Sequence, residues 1–104
     1  MKIKVPKRIK LGAYCYDLGY ESNLATDKHF CGTIRFQRLK INIEPNMPES
    51  VKNVTLLHEL FEGISDMYRC GLEDENCERL AQGMADFLFN SLGIEFDWSL
   101  IQEI

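Results

Sequence analysis

The sequence predicts an α+β fold in which a small antiparallel sheet, formed by the N-terminal half, packs on two helices formed by the C-terminal half. Short segments with period-two alternation occupy the first half, and two longer segments with helical periodicity occupy the second. The length of 104 residues is that of one domain with a modest core. No repeat, low-complexity tract or linker interrupts the chain, so residues 1–104 are predicted to form a single domain.

The N-terminal strands are predicted from alternation of apolar and polar residues. Lys2–Val5 alternates until Pro6, which cannot donate to a sheet ladder. Ile9–Leu11 then leads into the aromatic-rich segment Ala13–Leu18. The turn-rich residues 19–29 are predicted to form a loop.

The clearest strand pair is Gly32–Phe36 with Leu39–Ile43, in which successive side chains point to opposite faces. The short link of residues 37–38 predicts a hairpin, although neither residue is favoured in a tight turn.

A long helix is predicted from about Pro48 to Arg69. Pro48 suits the first helical turn, and Gly71 stands where a left-handed glycine commonly ends a helix. The apolar residues of this segment recur at helical spacing and form one stripe: Val54, Leu57, Phe61, Ile64 and Tyr68.

A second helix is predicted to begin with Asp74 as its cap and Glu75 in its first turn, where the helix dipole favours a carboxylate. It is predicted to end near Gly93, and the apolar tail Ile94–Ile101 is predicted to dock on the body of the domain. The predicted buried face of this helix consists of Cys77, Leu80, Ala81, Met84, Phe87, Leu88 and Leu92.

Composition argues against a membrane or secreted protein. No apolar run approaches the roughly 20 residues of a membrane span, and the basic N-terminus is not followed by the apolar stretch of a secretion signal. The four cysteines form no C-x-x-C pair. Reduced thiols and a cytoplasmic location are therefore predicted.

Charge is divided unevenly along the chain. Residues 1–40 carry nine Lys/Arg and three Asp/Glu, whereas residues 41–104 carry three and thirteen, within a net charge of -4. This division suits a basic sheet packed against acidic helices. A basic cluster near the N-terminus could contact nucleic acid, but a solvated strand face is the favoured interpretation. The cluster consists of Lys2, Lys4, Lys7, Arg8 and Lys10.

The segment His58-Glu59-Leu60-Phe61-Glu62 differs at one residue from H-E-x-x-H, the helical zinc motif of metallopeptidases. In that motif two histidines four residues apart lie on one helix face and bind one zinc, while the Glu serves as general base. Glu62 stands here in place of the second histidine, and a carboxylate is also a zinc ligand. The motif therefore predicts a metal site with His58 and Glu62 as ligands and Glu59 as general base.

On a helical wheel, His58 and Glu62 lie about 40° apart. His58 is predicted to border the apolar stripe, while the two carboxylates of the motif face a rim. A catalytic zinc usually takes three protein ligands and a water. Glu78, in the second helix, is the first candidate for the third ligand, and Glu75 and His29 are reserve candidates.

The choice of Glu78 depends on Ala81 and Ala85, small residues on the same side of the helix that would let the two helices approach closely. Each acidic residue also has an ordinary interpretation. Glu59 and Glu62 suit solvated helix charges, and Glu78 suits the first turn of a helix because of the dipole.

The pattern resembles the small, often phage-encoded zincin-like proteins related to the ImmA/IrrE-type and SprT-like metallopeptidases. The second-helix segment is similar to the E-x-x-A-x-x-F-A helix of that family. The resemblance implies a minimal α+β zincin in which His58 is the first zinc ligand, Glu59 the general acid and base, and Glu78 the third ligand. The matching segments are Lys7–Gly12, Cys31–Ile34, Leu39–Ile43, Pro48-Glu49, Thr55–Glu59 and Glu78–Ala85.

The departure from the family falls on Glu62, where the family has histidine. With two histidines and one Glu, a divalent zinc leaves a net charge of +1, whereas one histidine and two Glu leave the site neutral. A neutral site lowers the pKa of bound water less. A site richer in oxygen could also favour other divalent metals.

Two classes of function follow. The first is a metal-dependent hydrolase, of the peptidase type, in which an extended peptide pairs with Leu39–Ile43 as a free strand edge. The second is a catalytically inactive module that keeps the zincin frame and binds or regulates a protein partner. Nucleic-acid binding through the basic N-terminal face is a weaker third interpretation.

Overall fold

The computed structural model describes residues 1–27 and 31–104, and the predicted α+β fold class is confirmed in this part of the chain. The strands are β1 (Lys2–Lys4), β2 (Arg8–Leu11), β3 (Tyr14–Tyr20), β4 (Gly32–Arg35), β5 (Lys40–Ile43) and β6 (Glu95–Asp97). The helices are α1 (Leu24–Asp27), α2 (Glu49–Tyr68) and α3 (Asp74–Ala85), and a π-helical turn (Asp86–Ser91) continues α3 without a break.

Four strands form a mixed sheet in the order β2-β3-β5-β4. The outer pairs β2–β3 and β4–β5 are antiparallel, whereas the central pair β3–β5 is parallel. The strand directions thus differ in one respect from the antiparallel sheet that the sequence predicts. The chain between β3 and β5 is long enough to hold α1 and β4, so it can return in the same direction.

The predicted hairpin is confirmed in β4 and β5. Its connection has four residues, 36–39, rather than two, and Leu39 takes a left-handed backbone conformation with φ 54°. The predicted loop 19–29 is shorter than expected, because β3 runs to Tyr20 and α1 follows. Residues 28–30 of that prediction lie outside the described residues.

The main core lies between the sheet and one face of α2. Leu56 of α2 packs in the same cluster as the fully buried Ile43 of β5. At Gly63 the helix approaches the sheet so closely that an added Cβ would lie 2.5 Å from Cδ1 of Leu11. Leu56, Glu59 and Gly63 therefore share the sheet-facing side of α2, at the spacing of successive helical turns.

A second cluster joins α2 to α3 through Leu57, Ala81 and Ala85. The predicted buried face of the second helix is wrong for four residues, which are exposed: Leu80 (43%), Met84 (39%), Phe87 (52%) and Leu92 (53%). α3 buries its side chains mainly against α2. The apolar side that faces α2 is therefore covered, and the neighbouring apolar side, with Leu80 and Met84, is exposed. Cys77 and Ala81 are on the covered flank and are fully buried.

The end of α2 also differs from the prediction. Arg69, and not Gly71, is the left-handed residue that ends the helix, with φ 54° and a backbone N–H that donates to the Ser65 carbonyl. Gly71 has a positive φ of 71° as well, in the connection to α3.

The cap of α3 is Glu73 and not Asp74. The backbone N–H of Glu73 donates to Oδ1 of Asn76 over 3.2 Å, which ties the first turn of the helix to its cap. Asp74 is therefore the first helical residue, and its carboxylate is available for other contacts. This shift of one residue matters for the site described below.

The predicted docking of the tail is confirmed. β6 pairs in parallel with β1, and Trp98 and Ile101 are buried. The indole N–H of Trp98 donates to Oδ1 of Asn53 in α2 over 2.7 Å. The ammonium group of Lys52 lies 5.2 Å from the Trp98 ring centroid, so the tail is fixed to α2 by polar as well as apolar contacts.

The surface of the first two strands carries the basic cluster. Lys7 lies between the two strands, and all five side chains of the cluster are exposed. Among the helices of the described residues, none combines the length and the apolar character that crossing a membrane would require.

Candidate metal centre

An open cleft of about 850 Å³ lies between β4 and the helix pair α2–α3. Residues 31–34 line one side, and α2 contributes side chains between Ser50 and Glu62. Four carboxylates line the cleft, and no Lys or Arg does so among the described residues. The cleft therefore favours cations.

His58 projects from α2 into this cleft, with a side chain that is 13% exposed. Its Nδ1 lies 2.6 Å from Oε2 of Glu78, and its Nε2 lies 2.9 Å from Oδ1 of Asp74. Oε1 of Glu62 is 3.8 Å from Nε2. Because ionised carboxylates only accept hydrogen bonds, the ring in this arrangement carries a proton on both nitrogens.

The neighbouring carboxylates raise the pKa of His58. Burial alone lowers the pKa, but the hydrogen bonds to Glu78 and Asp74 and the charges of Glu59 and Glu62 raise it above its ordinary value. The metal-free ring is therefore held in its charged form more firmly than that of a free histidine.

Glu59 is buried, with 5% of its surface exposed, and the prediction that it faces a rim is wrong. The single apolar stripe assumed from the sequence faces α3 through Leu57, whereas a second side of α2 faces the sheet through Leu56 and Gly63. Glu59 belongs to that second side. Burial, followed by the charge of Glu62, raises the pKa of Glu59 to about 8.

Glu62 lies beside Glu59, and the two side chains share a hydrogen bond. Burial is the largest cause that raises the pKa of Glu62 above its ordinary value. Two neighbouring carboxyl groups of this kind hold a proton between them near neutral pH, because the second charge is disfavoured by the first.

Glu78 of α3, the predicted third metal ligand, contacts His58 at Nδ1. Its second oxygen, Oε1, accepts a hydrogen bond of 3.1 Å from Nε2 of Gln82. The hydrogen bond to His58 is the largest cause that lowers the pKa of Glu78. Both oxygens of this carboxylate thus have protein partners.

Asp74 is the site residue that the sequence analysis misses, because its residue type suits a helix cap. It lies one turn before Glu78 on the same side of α3, and this i, i+4 spacing is the signal that would have identified it. Its hydrogen bond to His58, followed by one to Glu62, lowers its pKa.

The reserve ligands have a different outcome. Glu75 is exposed, and it is not one of the described residues that line the cleft. His29 lies outside the described residues.

The free strand edge is β4 and not β5, so the prediction of Leu39–Ile43 as a free edge is wrong. β5 lies between β3 and β4. The prediction fails because the pairing of β5 with β3 is non-local and cannot be read from the residues of β5 itself. The N–H of Glu44 donates to the carbonyl of Cys31, and such bonds recur at every second residue of an antiparallel pair. The N–H and C=O groups of Gly32 and Ile34 therefore point away from β5.

The donor set suits a divalent cation. His58, Glu59 and Glu62 each offer one ligand atom, and these atoms all lie within 4.8 Å of one another. Bonds of about 2.0–2.1 Å to nitrogen and oxygen place the ligand atoms of one zinc roughly 3.3 Å apart, so these side chains would close further around a bound ion. One imidazole with several carboxylates fits zinc, and its oxygen-rich character also fits harder divalent metals.

No protein-family model, curated protein or solved structure matches this chain.

Proposed function

We propose that the protein is a metal-dependent hydrolase of the peptidase type, with zinc or another divalent metal in the cleft between β4 and α2–α3. The observation that carries this proposal is the convergence of His58, Glu59 and Glu62, whose donor atoms lie within 4.8 Å of one another. They line an open cleft, so a substrate has access to them.

The residues take distinct roles in this proposal. His58 and Glu62 bind the metal together with a carboxylate of α3, which the family resemblance gives as Glu78. A bound divalent ion supplies Lewis acidity and lowers the pKa of a water molecule. Glu59 accepts a proton from the attacking water and returns it to the leaving amine. Burial raises the pKa of Glu59 to about 8 in the metal-free protein, so once the carboxylate is ionised it is a stronger proton acceptor than an ordinary Glu. The positive charge of a bound ion would favour that ionised form.

The proposed substrate is an extended peptide that lies along β4. Gly32 and Ile34 turn their free backbone groups away from β5, and residues 31–34 line the cleft. A peptide that pairs with this edge gains backbone hydrogen bonds and passes close to His58. This replaces the sequence-based placement of the peptide on β5.

The first experiment is elemental analysis of protein purified without chelator and without a His tag. We expect about one zinc or other divalent ion per chain, lost in His58→Ala and retained in His29→Ala. In a peptide-cleavage assay, Glu59→Gln should retain the metal and lose activity. Protein that stays metal-free after dialysis against zinc would contradict the proposal.

A second candidate function is a catalytically inactive module that binds a protein partner. The observation in its favour is that His58 already has carboxylate partners at both ring nitrogens, so the cluster forms a complete ion-pair network without metal. It predicts that chelator leaves stability unchanged and that no metal is taken up.

We also propose a cytoplasmic location. All four cysteines are free thiols, and three of them are exposed, which suits a reducing compartment. Alkylation of the protein in intact cells, followed by mass spectrometry, should find them unpaired. Nucleic acid is not a proposed ligand of the cleft, since the cleft is lined by carboxylates.

A further inference from the structure

We propose that the two carboxylates of α3 that contact His58 have different roles, with Asp74 binding the metal beside Nε2 and Glu78 holding Nδ1–H to orient the ring. This inference rests on the proposed function, and it changes the ligand set that the family resemblance implies. Glu78 becomes a positioning residue, and Asp74 joins His58 and Glu62 as the third ligand.

The imidazole ring of His58 offers two nitrogens, only one of which can bind the metal. A neutral histidine ring binds a metal through one nitrogen and keeps a proton on the other, which usually donates to a carboxylate or carbonyl. Nδ1 and Nε2 of His58 face different carboxylates, at 2.6 Å and 2.9 Å. Whichever nitrogen binds the metal, one of these carboxylates is next to the metal and the other keeps its hydrogen bond.

The surroundings of the two nitrogens decide between them. On the Nε2 side lie Oδ1 of Asp74 at 2.9 Å and Oε1 of Glu62 at 3.8 Å. On the Nδ1 side, the described residues place only Glu78 within ion-pair distance. An ion that replaces the Nε2 proton therefore meets two carboxylates, whereas one at Nδ1 meets a single carboxylate.

The contacts of Glu78 argue the same way. Its Oε2 is 2.6 Å from Nδ1, a distance typical of a strong, charge-assisted hydrogen bond. Its Oε1 accepts from Gln82 over 3.1 Å. Metal binding by Glu78 would compete with these bonds for the same two oxygens, while metal binding at Nε2 leaves both in place.

Asp74 can take this role because it does not cap the helix. Glu73 caps α3, so the Asp74 carboxylate is not needed at the helix end, and its side chain is 80% exposed. With neutral His58 and ionised Glu62 and Asp74, a divalent ion gives a site with no net charge.

The test is a nitrogen-15 NMR titration with Zn²⁺ that reads the imidazole nitrogens directly. The chain has two histidines, and His29→Gln assigns the signals of His58. We expect Zn²⁺ at Nε2 and a proton on Nδ1. Binding at Nδ1 with a proton on Nε2 would overturn the proposal, while a titration with no Zn²⁺ bound at all would overturn the proposed function itself.

Affinity measurements supply a second readout. Asp74→Asn should weaken Zn²⁺ binding by more than about 100-fold, while Glu78→Gln should weaken it by about 10–100-fold, as for other orienting partners, and keep Nε2 as the ligand. Glu75→Gln is the matched control and should have no effect. A loss that is larger in Glu78→Gln than in Asp74→Asn would contradict the assignment.

Discussion

Glu59 combines an ionisable side chain with a buried position against the sheet. Burial favours its neutral form, and the neighbouring charge of Glu62 adds to that preference, so its pKa is raised to about 8. The charge of His58 acts in the opposite direction. Loss of the proton from the Glu59 carboxyl group therefore has a strong effect on the stability of the metal-free protein.

We predict that the metal-free protein loses stability as the pH rises from about 5 to about 8. Glu59 has a folded pKa of about 8, above its ordinary value of 4.5, so the folded state binds more protons than the unfolded state within this window. The raised pKa of His58 acts with the same sign. The free energy of unfolding should fall by on the order of 3 kcal/mol, measured by urea denaturation in the presence of EDTA.

Glu59→Gln is the matched control for this pH dependence, because it keeps the shape and removes the charge. Its stability should depend much less on pH between 5 and 8. Asp74 and Glu78, whose pKa values are lowered by hydrogen bonds to His58, contribute stability that is lost only as the pH falls through their folded pKa values. A wild-type stability that rises from pH 5 to pH 8 would contradict the burial of a protonated Glu59.

A second prediction concerns proton release. Since His58 and the Glu59–Glu62 pair hold protons in the metal-free protein, Zn²⁺ binding at pH 6.5 should release at least one proton per chain. Calorimetric titrations in buffers of different ionisation enthalpy measure this number. Zinc affinity that does not change between pH 6 and pH 8 would argue against binding at these residues.

At the scale of elements, α3 is positioned by very small side chains. Ala81 is fully buried against α2, next to Leu57, and Leu80 beside it in the chain is 43% exposed. The distance between the helices, and with it the reach of Asp74 and Glu78 to His58, thus depends on the size of the residue at position 81.

We predict that Ala81→Leu lowers the free energy of unfolding by about 1–3 kcal/mol, because the larger side chain forces the two helices apart. Leu80→Gln, its matched control on the exposed flank, should change it by less than about 0.5 kcal/mol. Thermal and urea denaturation measure both. Equal losses in the two variants would show that the buried face of α3 includes Leu80.

The sequence predicts elements better than it predicts their faces. The helix expected at Pro48–Arg69 is found as α2 at Glu49–Tyr68, because its helical periodicity is strong and long. The exposed flank of α3 has the same periodicity as its buried flank, so the pattern alone cannot choose between them. The place of β5 inside the sheet depends on a distant partner, and the role of Asp74 depends on Glu73 acting as the cap.

At the scale of the whole molecule, the proposed metal would join the long helix α2 to the start of α3. We predict that Zn²⁺ at 100 times its dissociation constant stabilises the protein by about 2.7 kcal/mol, because it binds the folded state alone. Thermal denaturation with and without Zn²⁺ measures this gain, and His58→Ala should abolish it. An unchanged melting temperature in the wild-type protein would favour the non-catalytic module.

Trp98 is the one tryptophan of the chain, and it lies buried in the tail, against Lys52 and Asn53 of α2 and stacked on Tyr20. Its fluorescence therefore reports the docking of the tail, while far-ultraviolet circular dichroism reports mainly the helices. Since β1 pairs with β6 in register Lys2 to Glu95, docking of the tail closes a loop that spans most of the chain. In stopped-flow refolding, we expect the tryptophan signal to develop no earlier than the helical signal.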